Sequence, residues 1–154
     1  MELSRILQPE AVRVVNSLTS KKRLFQELGE TAAAVYDLPQ ADVVDSLTDR
    51  ESLGPTGVGQ GIALPHARLS GLTEVKGVFL RIEKPLDFGA VDRQPVDLVF
   101  ALLAPSGSGV DHLRALALVS RTLRDQGVCG KLRANTDPAT LHAVLTEQPA
   151  SEAA

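Results

Sequence analysis

The sequence contains one cysteine, no tryptophan and few aromatic side chains, which make up 3% of its 154 residues. A single thiol, Cys129, excludes an intramolecular disulfide and a cysteine-based zinc site, and it fits a reducing compartment. No apolar run approaches the roughly 20 residues that cross a bilayer, and the N-terminus lacks the basic and apolar regions of a secretory signal. We therefore expect a cytoplasmic protein without direct membrane insertion.

Positive charge is also scarce, since 16 lysine and arginine residues face 19 acidic ones and the net charge is −3. This balance argues against a nucleic-acid partner. The one dense basic run, Lys21-Lys22-Arg23, falls at the start of a predicted helix, where cations oppose the helix dipole. Two interpretations stay open for this run: a solvated helix face, or a docking patch for an acidic partner.

Aliphatic residues are plentiful, because hydrophobic residues make up 44% of the chain although aromatic ones are rare. A chain of this length can bury a core of leucine, valine, isoleucine and alanine. The sequence predicts a single domain over residues 1–147. The final segment, 148–154, predicts a flexible tail.

Hydrophobic periodicity predicts strands mixed with helices. Short β-branched or apolar runs predict strands at 12–15, 61–64, 75–82 and 96–105. Helical spacing and capping residues predict helices at 20–36, 38–54, 109–124, 128–134 and 137–147, with Ser20 and Asp137 as N-caps. This mixture indicates an α/β fold in which helices cover a sheet.

The segment GPTGVGQGIALPHAR (54–68) holds the densest group of glycines. No lysine follows Gly61, so it is not a phosphate-binding P-loop, and Ile62 stands where a dinucleotide fingerprint needs its third glycine. The glycines fit two interpretations: tight turns, or a backbone cradle whose N–H groups approach an anion. The residues alone favour turns.

Three polar side chains near this segment are candidates for chemistry. His66 follows Pro65, and a neutral imidazole whose second nitrogen is held by a carbonyl is an oriented nucleophile able to accept a phosphoryl group. His112 lies in the first turn of a predicted helix, where it would stay neutral and share an anion. Arg50 ends another helix and offers paired donors to a phosphate. Each also has an ordinary explanation, as a loop, helix-surface or helix-end residue.

The third histidine, His142, is predicted to have no role. Two histidines without a third ligand make a poor zinc site, so no metal and no cofactor is expected. A metal-dependent hydrolase is accordingly the weakest of the enzyme classes considered.

Three segments resemble one known family, the enzyme IIA proteins of the bacterial phosphotransferase system, in the fructose/mannitol class. They are DRESLGPTGVGQGIALPHAR (49–68), FGAVDRQPVDLVFALLAP (88–105) and DHLRALALVSRTL (111–123). The resemblance runs in order from about residue 5 to 147. Within the family, the sequences GVGQGIALPH and QPVDLVFALL are most similar to those of the nitrogen-regulatory branch, and the lack of fused permease domains also fits that branch.

The resemblance implies a mixed central β-sheet with helices on both faces. It implies that His66 accepts a phosphoryl group on Nε2, that His112 is the second active-site histidine, and that Arg50 steadies the phosphorylated state. Because other proteins must reach the ring, His66 is expected in a shallow, exposed depression with an apolar rim. Ala67 stands where glycine often follows the histidine, a change that removes no chemical group.

The resemblance also implies the partners. The donor would be a small histidine-phosphorylated carrier protein, fed from phosphoenolpyruvate through an enzyme I. A nitrogen-branch protein would then regulate targets such as sensor kinases or potassium transport systems by its phosphorylation state. The alternatives are a sugar-specific enzyme IIA that passes phosphate to a fructose or mannitol permease subunit, and an interaction module whose histidine is never phosphorylated.

Overall fold

A computed structural model describes residues 1–107 and 109–147. The predicted tail, 148–154, lies outside the described residues. The helices of the described part are α1 (Leu3–Ile6), α2 (Lys21–Tyr36), α3 (Gln40–Ser52), α4 (Gly109–Arg124), α5 (Gln126–Arg133) and α6 (Pro138–Thr146), with a 3-10 turn at Pro9–Ala11. The strands are β1 (Val12–Val15), β2 (Gly57–Gly59), β3 (Ile62–Ala63), β4 (His66–Leu69), β5 (Lys76–Leu86) and β6 (Val96–Pro105).

Helices α2 and α6 begin where capping chemistry predicts. The Ser20 hydroxyl accepts a hydrogen bond from the Arg23 amide at the start of α2, and the Asp137 carboxylate accepts one from the Thr140 amide at the start of α6. Both bonds satisfy an amide that the first turn of a helix leaves without a partner. Helix α3 begins at Gln40, directly after Pro39.

The sheet is mixed, with strand order β1-β5-β6-β3-β2 and β4 paired to β6 beyond β3. The two longest strands, β5 and β6, run antiparallel, while β1 is parallel to β5 and both β3 and β4 are parallel to β6. Strand β6 therefore lies at the centre, and the site residues of β4 lie along one of its edges.

Helices cover both faces of the central strands. Every residue from Leu98 to Ala104 in β6 is buried, although neighbouring side chains of a strand point to opposite faces. Continuous burial of this kind requires a cover on each face. The α/β prediction and the mixed sheet implied by the resemblance are both confirmed, and solved structures described below share this fold.

The glycine-rich segment is more ordered than a loop. Residues Gly57–Gly59 form β2 and pair antiparallel with β3, so the segment is a hairpin whose turn is at Gln60-Gly61. The structure also contains β4, which no sequence pattern predicted, and it begins at His66 itself. Neighbouring strands supplied the pairing partner that a four-residue pattern could not reveal.

In the described ranges, 1–107 and 109–147, no helix combines the length and the apolar character needed to cross a bilayer.

Candidate active site

The position of His66 is set by a break between two strands, β3 and β4, that pair with the same strand β6. Strands β3 and β4 pair with successive stretches of β6, at Leu98-Val99 and from Leu102 onward, and the two residues between them are Leu64 and Pro65. Proline has no N–H to donate to the ladder, but its carbonyl accepts a hydrogen bond from the Leu102 amide at 2.9 Å. The pairing therefore resumes at once, and His66 opens the second stretch.

The two ring nitrogens of His66 have different partners. Nδ1 lies 2.9 Å from the carbonyl oxygen of Leu64, two residues earlier in the chain. Because a carbonyl oxygen only accepts, Nδ1 carries the proton. Nε2 then holds the lone pair, and it accepts a hydrogen bond from Nε of Arg50 at 3.2 Å. The ring is an oriented neutral imidazole with a nucleophilic Nε2.

Arg50 is itself fixed in place. It lies in the last turn of α3, as predicted, and its Nη1 donates to the carbonyl oxygen of Gly54 at 3.0 Å. A guanidinium presents its donors in a rigid plane, so this second bond sets the direction from which Nε approaches His66. The structure thus brings Arg50 against the ring to which sequence reasoning connected it.

His112 packs against His66 from the first turn of α4. The ring centroids are 5.3 Å apart and the planes meet at 71°, an edge-to-face arrangement. The side chain of His112 is buried, and Nδ1 accepts a hydrogen bond from Nε of Arg68 at 3.3 Å. The three predicted site residues therefore form one cluster, joined by a fourth that sequence reasoning missed.

Both rings favour the neutral form at neutral pH. Burial lowers the pKa of His66 and the charge of Arg50 lowers it further, while the bond to the Leu64 carbonyl and the charge of Glu51 act the other way. Burial also lowers the pKa of His112, with further lowering from His66 and Arg68. The expected direction for His112 is confirmed, but desolvation rather than the helix N-terminus is its main cause.

A partly buried ion pair lies next to the site, at the residue after Arg50. The Glu51 carboxylate, with a side chain 7% exposed, lies 2.9 Å from the Lys21 ammonium. It also accepts hydrogen bonds from the amide and the hydroxyl of Thr56, at 3.1 and 2.5 Å. The pair therefore ties the end of α3 to the start of α2 and to the segment before β2.

This contact resolves part of the question about the basic run. Lys21 points inward, because its ammonium also lies 4.3 Å from the centroid of the Phe88 ring. Lys21 belongs to neither interpretation of the run, whereas Lys22 and Arg23 are exposed. Glu51 could have been found from its place beside Arg50 in the quoted segment, but no sequence signal indicated Lys21.

The glycines serve turns and close packing. Gly61 has φ +80°, and a Cβ there would lie 2.6 Å from Nη2 of Arg133 and 2.8 Å from Oδ1 of Asp97. These two side chains form a two-point ion pair, with Nε–Oδ2 at 2.8 Å and Nη2–Oδ1 at 2.9 Å. Nη2 of Arg133 also donates to the Gln60 carbonyl oxygen at 2.8 Å, so this pair holds the turn of the hairpin.

Several exposed apolar side chains lie on α3, β2 and α4, or directly after them. Leu53 follows the end of α3, Val58 lies in β2, and Val110 and Leu113 lie beside His112 in α4; each is more than half exposed. Leu53 comes shortly after Arg50, and Val110 and Leu113 lie beside His112; large apolar side chains exposed next to site residues are typical of a surface that another protein covers. His66 is only half-buried, so such a partner could reach its ring.

His142 lies away from this cluster. Its Nε2 bonds the Leu7 carbonyl oxygen at 3.0 Å, which joins α6 to the segment after α1. Within residues 1–107 and 109–147, no three histidine, cysteine or acidic side chains are grouped to hold a metal ion.

The fold agrees with one family of phosphotransferase components. Residues 5–148 match the family described as phosphoenolpyruvate-dependent sugar phosphotransferase system, EIIA 2, and the chain belongs to it. Within the family, the chain is 44% identical to a nitrogen regulatory protein of Bradyrhizobium diazoefficiens, over 99% of this chain and 100% of that protein. It is therefore a homologue of the nitrogen regulatory proteins.

Two further comparisons define the range of relatives. The crystal structure of nitrogen regulatory protein IIA-Ntr from Neisseria meningitidis superposes with a TM-score of 0.85 at 35% identity, covering 94% of this chain and 99% of that one. A fructose-specific EIIA component of Haloferax volcanii is 31% identical over 95% of this chain and 96% of that protein. The chain is thus more similar to the nitrogen regulatory protein of Bradyrhizobium than to this sugar-specific relative.

Proposed function

We propose that this protein is a phosphoryl carrier of the nitrogen branch of the phosphotransferase system. It accepts a phosphoryl group on Nε2 of His66 from a histidine-phosphorylated carrier protein, and its phosphorylation state regulates target proteins. The observation that carries the proposal is the geometry of the His66 ring. Its Nδ1 proton is bound by the Leu64 carbonyl, and its Nε2 lone pair faces the guanidinium of Arg50.

The transfer uses the lone pair of Nε2. That nitrogen attacks the phosphorus atom of the donor, the new N–P bond forms, and the N–P bond of the donor breaks so that its imidazole leaves. The Nδ1 proton stays on the ring and keeps its bond to the Leu64 carbonyl, which stabilises the positive charge that develops there. No cofactor takes part, and the reverse step returns the phosphoryl group to a partner.

Arg50 and His112 stabilise the negative charge of the phosphoryl group. In the free protein Arg50 donates to Nε2, so on phosphorylation the guanidinium moves from the nitrogen to the phosphoryl oxygens that replace it. A phosphoryl group adds about −1.5 to −2 charge by analogy with other phosphorylated residues, and Arg50 neutralises part of it. Transfer of this kind depends mainly on positioning and charge.

The apolar side chains around the site define the docking surface for the donor. Leu53 comes shortly after Arg50, Val110 and Leu113 lie beside His112, and all three side chains are exposed. The partner must bring its own phosphohistidine to a half-buried ring, which requires a close, largely apolar contact. We therefore place the carrier protein on this surface.

A sugar-specific enzyme IIA is the second candidate. The Haloferax relative is named a fructose-specific EIIA component although this chain covers 96% of it, so length does not distinguish the branches. The higher identity to the nitrogen regulatory proteins favours the first candidate. Transfer from the phosphorylated protein to an enzyme IIB domain for fructose or mannitol would favour the second.

The test is phosphorylation by enzyme I, the histidine carrier and phosphoenolpyruvate, followed by intact-mass measurement. We expect one acid-labile phosphoryl group on the wild-type protein and on the control variant His142→Gln, whose histidine lies away from the site. The variant His66→Ala should remain unlabelled. Labelling of all three proteins would place the acceptor elsewhere, with His112 the next candidate, and labelling of none would favour an interaction module.

A further inference from the structure

Arg68 lies on the same side of β4 as His66. Successive strand residues alternate between faces, and Ala67 and Leu69 are buried while His66 and Arg68 are not. The Nε–H of Arg68 donates to Nδ1 of His112 at 3.3 Å across the gap to α4. One short strand therefore carries both the proposed acceptor and a cation that contacts the second histidine.

This contact fixes which nitrogen of His112 carries the proton. A guanidinium has donors only, so Nδ1 must present its lone pair. The proton of the neutral ring is then on Nε2. That atom is buried, and it finds no hydrogen-bond partner among the residues that the structure describes.

The unpartnered N–H belongs to a ring whose centroid is 5.3 Å from that of His66. A buried donor without an acceptor costs free energy in the resting protein, and an incoming oxygen relieves that cost. A phosphoryl group on Nε2 of His66 brings three oxygens to this place. The resting site thus holds an unpartnered donor beside the ring that would carry the phosphoryl group.

We propose that Arg68 is a positioning residue of the phosphoryl site, which holds His112 in the Nε2–H tautomer so that this proton is donated to the phosphoryl group on His66. The inference rests on the proposed function, because it assigns the part of Arg68 in that same reaction. Arg68 acts through His112, in contrast to Arg50, whose guanidinium contacts the His66 ring directly.

The first test uses the unphosphorylated protein. Long-range ¹H–¹⁵N spectra of the histidine rings report the tautomer and the bonding of each nitrogen. We expect wild-type His112 to show a protonated Nε2 and a hydrogen-bonded Nδ1. In Arg68→Met the Nδ1 signal of His112 should move towards that of an unbonded lone pair, and the pKa of His112 should rise. The control Arg121→Met removes an exposed arginine of α4, the helix that carries His112, and should change neither quantity.

The second test asks whether Arg68 acts through His112. The measured quantity is the equilibrium between the phosphorylated carrier and this protein. Loss of one hydrogen bond to the phosphoryl group should shift it roughly tenfold towards the carrier in Arg68→Met. Arg68→Lys, which keeps a charged donor, should recover part of that shift. In a His112→Ala background, Arg68→Met should have no further effect.

Three results would overturn the proposal: unchanged ring signals in Arg68→Met, an unshifted equilibrium in that variant, or a full additional shift in the His112→Ala background. The last result would mean that Arg68 contacts the phosphoryl group directly. Failure of the proposed function looks different, because the wild-type protein would then take up no phosphoryl group at all. The ring spectra need no phosphorylation and decide the tautomer on their own.

Discussion

Replacing Glu51 with glutamine tests the ion pair that Glu51 forms with Lys21 next to the site. The substitution keeps the size of the side chain but leaves the Lys21 ammonium opposite a neutral amide. Breaking a fully buried pair by removing one partner costs about 3–5 kcal/mol. The Glu51 side chain is 7% exposed but that of Lys21 is 33% exposed, so solvent screens part of the interaction.

We therefore expect the free energy of unfolding to fall by about 2 kcal/mol in Glu51→Gln, below the figure for a fully buried pair. In a domain of this size, such a loss lowers Tm by about 4–8 °C. Thermal and urea unfolding followed by circular dichroism measure both quantities. The matched control is Glu74→Gln, which removes a carboxylate that is 58% exposed and pairs with Arg5 and Lys76 on the surface.

The control should lose less than about 1 kcal/mol, the usual range of an exposed pair. A double-mutant cycle with Lys21→Met then isolates the interaction between the two charges from the loss of the Thr56 hydrogen bonds. If Glu51→Gln and Glu74→Gln unfold at the same temperature, the contact between Lys21 and Glu51 does not stabilise the fold and this prediction is refuted.

Three further predictions follow from the same contacts. Gly61→Ala should destabilise the protein by at least about 2 kcal/mol in urea unfolding, because a Cβ would strain a backbone at φ +80° and overlap the ion pair beneath it; Gly130→Ala, which meets nothing within 4 Å, should be neutral or stabilising. The free energy of unfolding should be highest above pH 6.5, which is about the pKa of histidine in the unfolded chain, and should fall as the pH drops towards the lower pKa values of His66 and His112 in the folded protein, because folding holds both rings neutral. The double variant His66→Gln/His112→Gln should show a flatter dependence of stability on pH. In Arg50→Met the pKa of His66, followed by NMR titration, should rise, since the cation beside the ring lowers it; an unchanged value would contradict the contact.

The fold was largely predictable because periodicity and capping act locally. The pattern of α4 and the caps at Ser20 and Asp137 indicated elements that the structure contains. Strand β4 was not predictable, because four residues are too few for their alternation to be recognised and they form a strand only through pairing with β6. Strand β3 lies within the predicted strand at 61–64, but its hairpin partner β2 was missed for the same reason.

The site residues also fall into those that the sequence indicated and those that only the structure reveals. His66, His112 and Arg50 could be named from residue types and from the resemblance, and the structure brings them together. Arg68 and Lys21 could not, because their roles depend on contacts between residues far apart in sequence, 44 residues for Arg68 and His112 and 30 for Lys21 and Glu51. The alternation of faces along β4 would have indicated Arg68, had that strand been predicted.

The most direct test of the central claim is to identify the nitrogen that carries the phosphoryl group. Long-range ¹H–¹⁵N spectra of the protein phosphorylated through its carrier distinguish the two ring nitrogens of each histidine. We predict a single phosphohistidine, at Nε2 of His66, because the Leu64 carbonyl holds the proton of Nδ1. A phosphoryl group on Nδ1 of His66, or on either ring nitrogen of His112, would contradict the account.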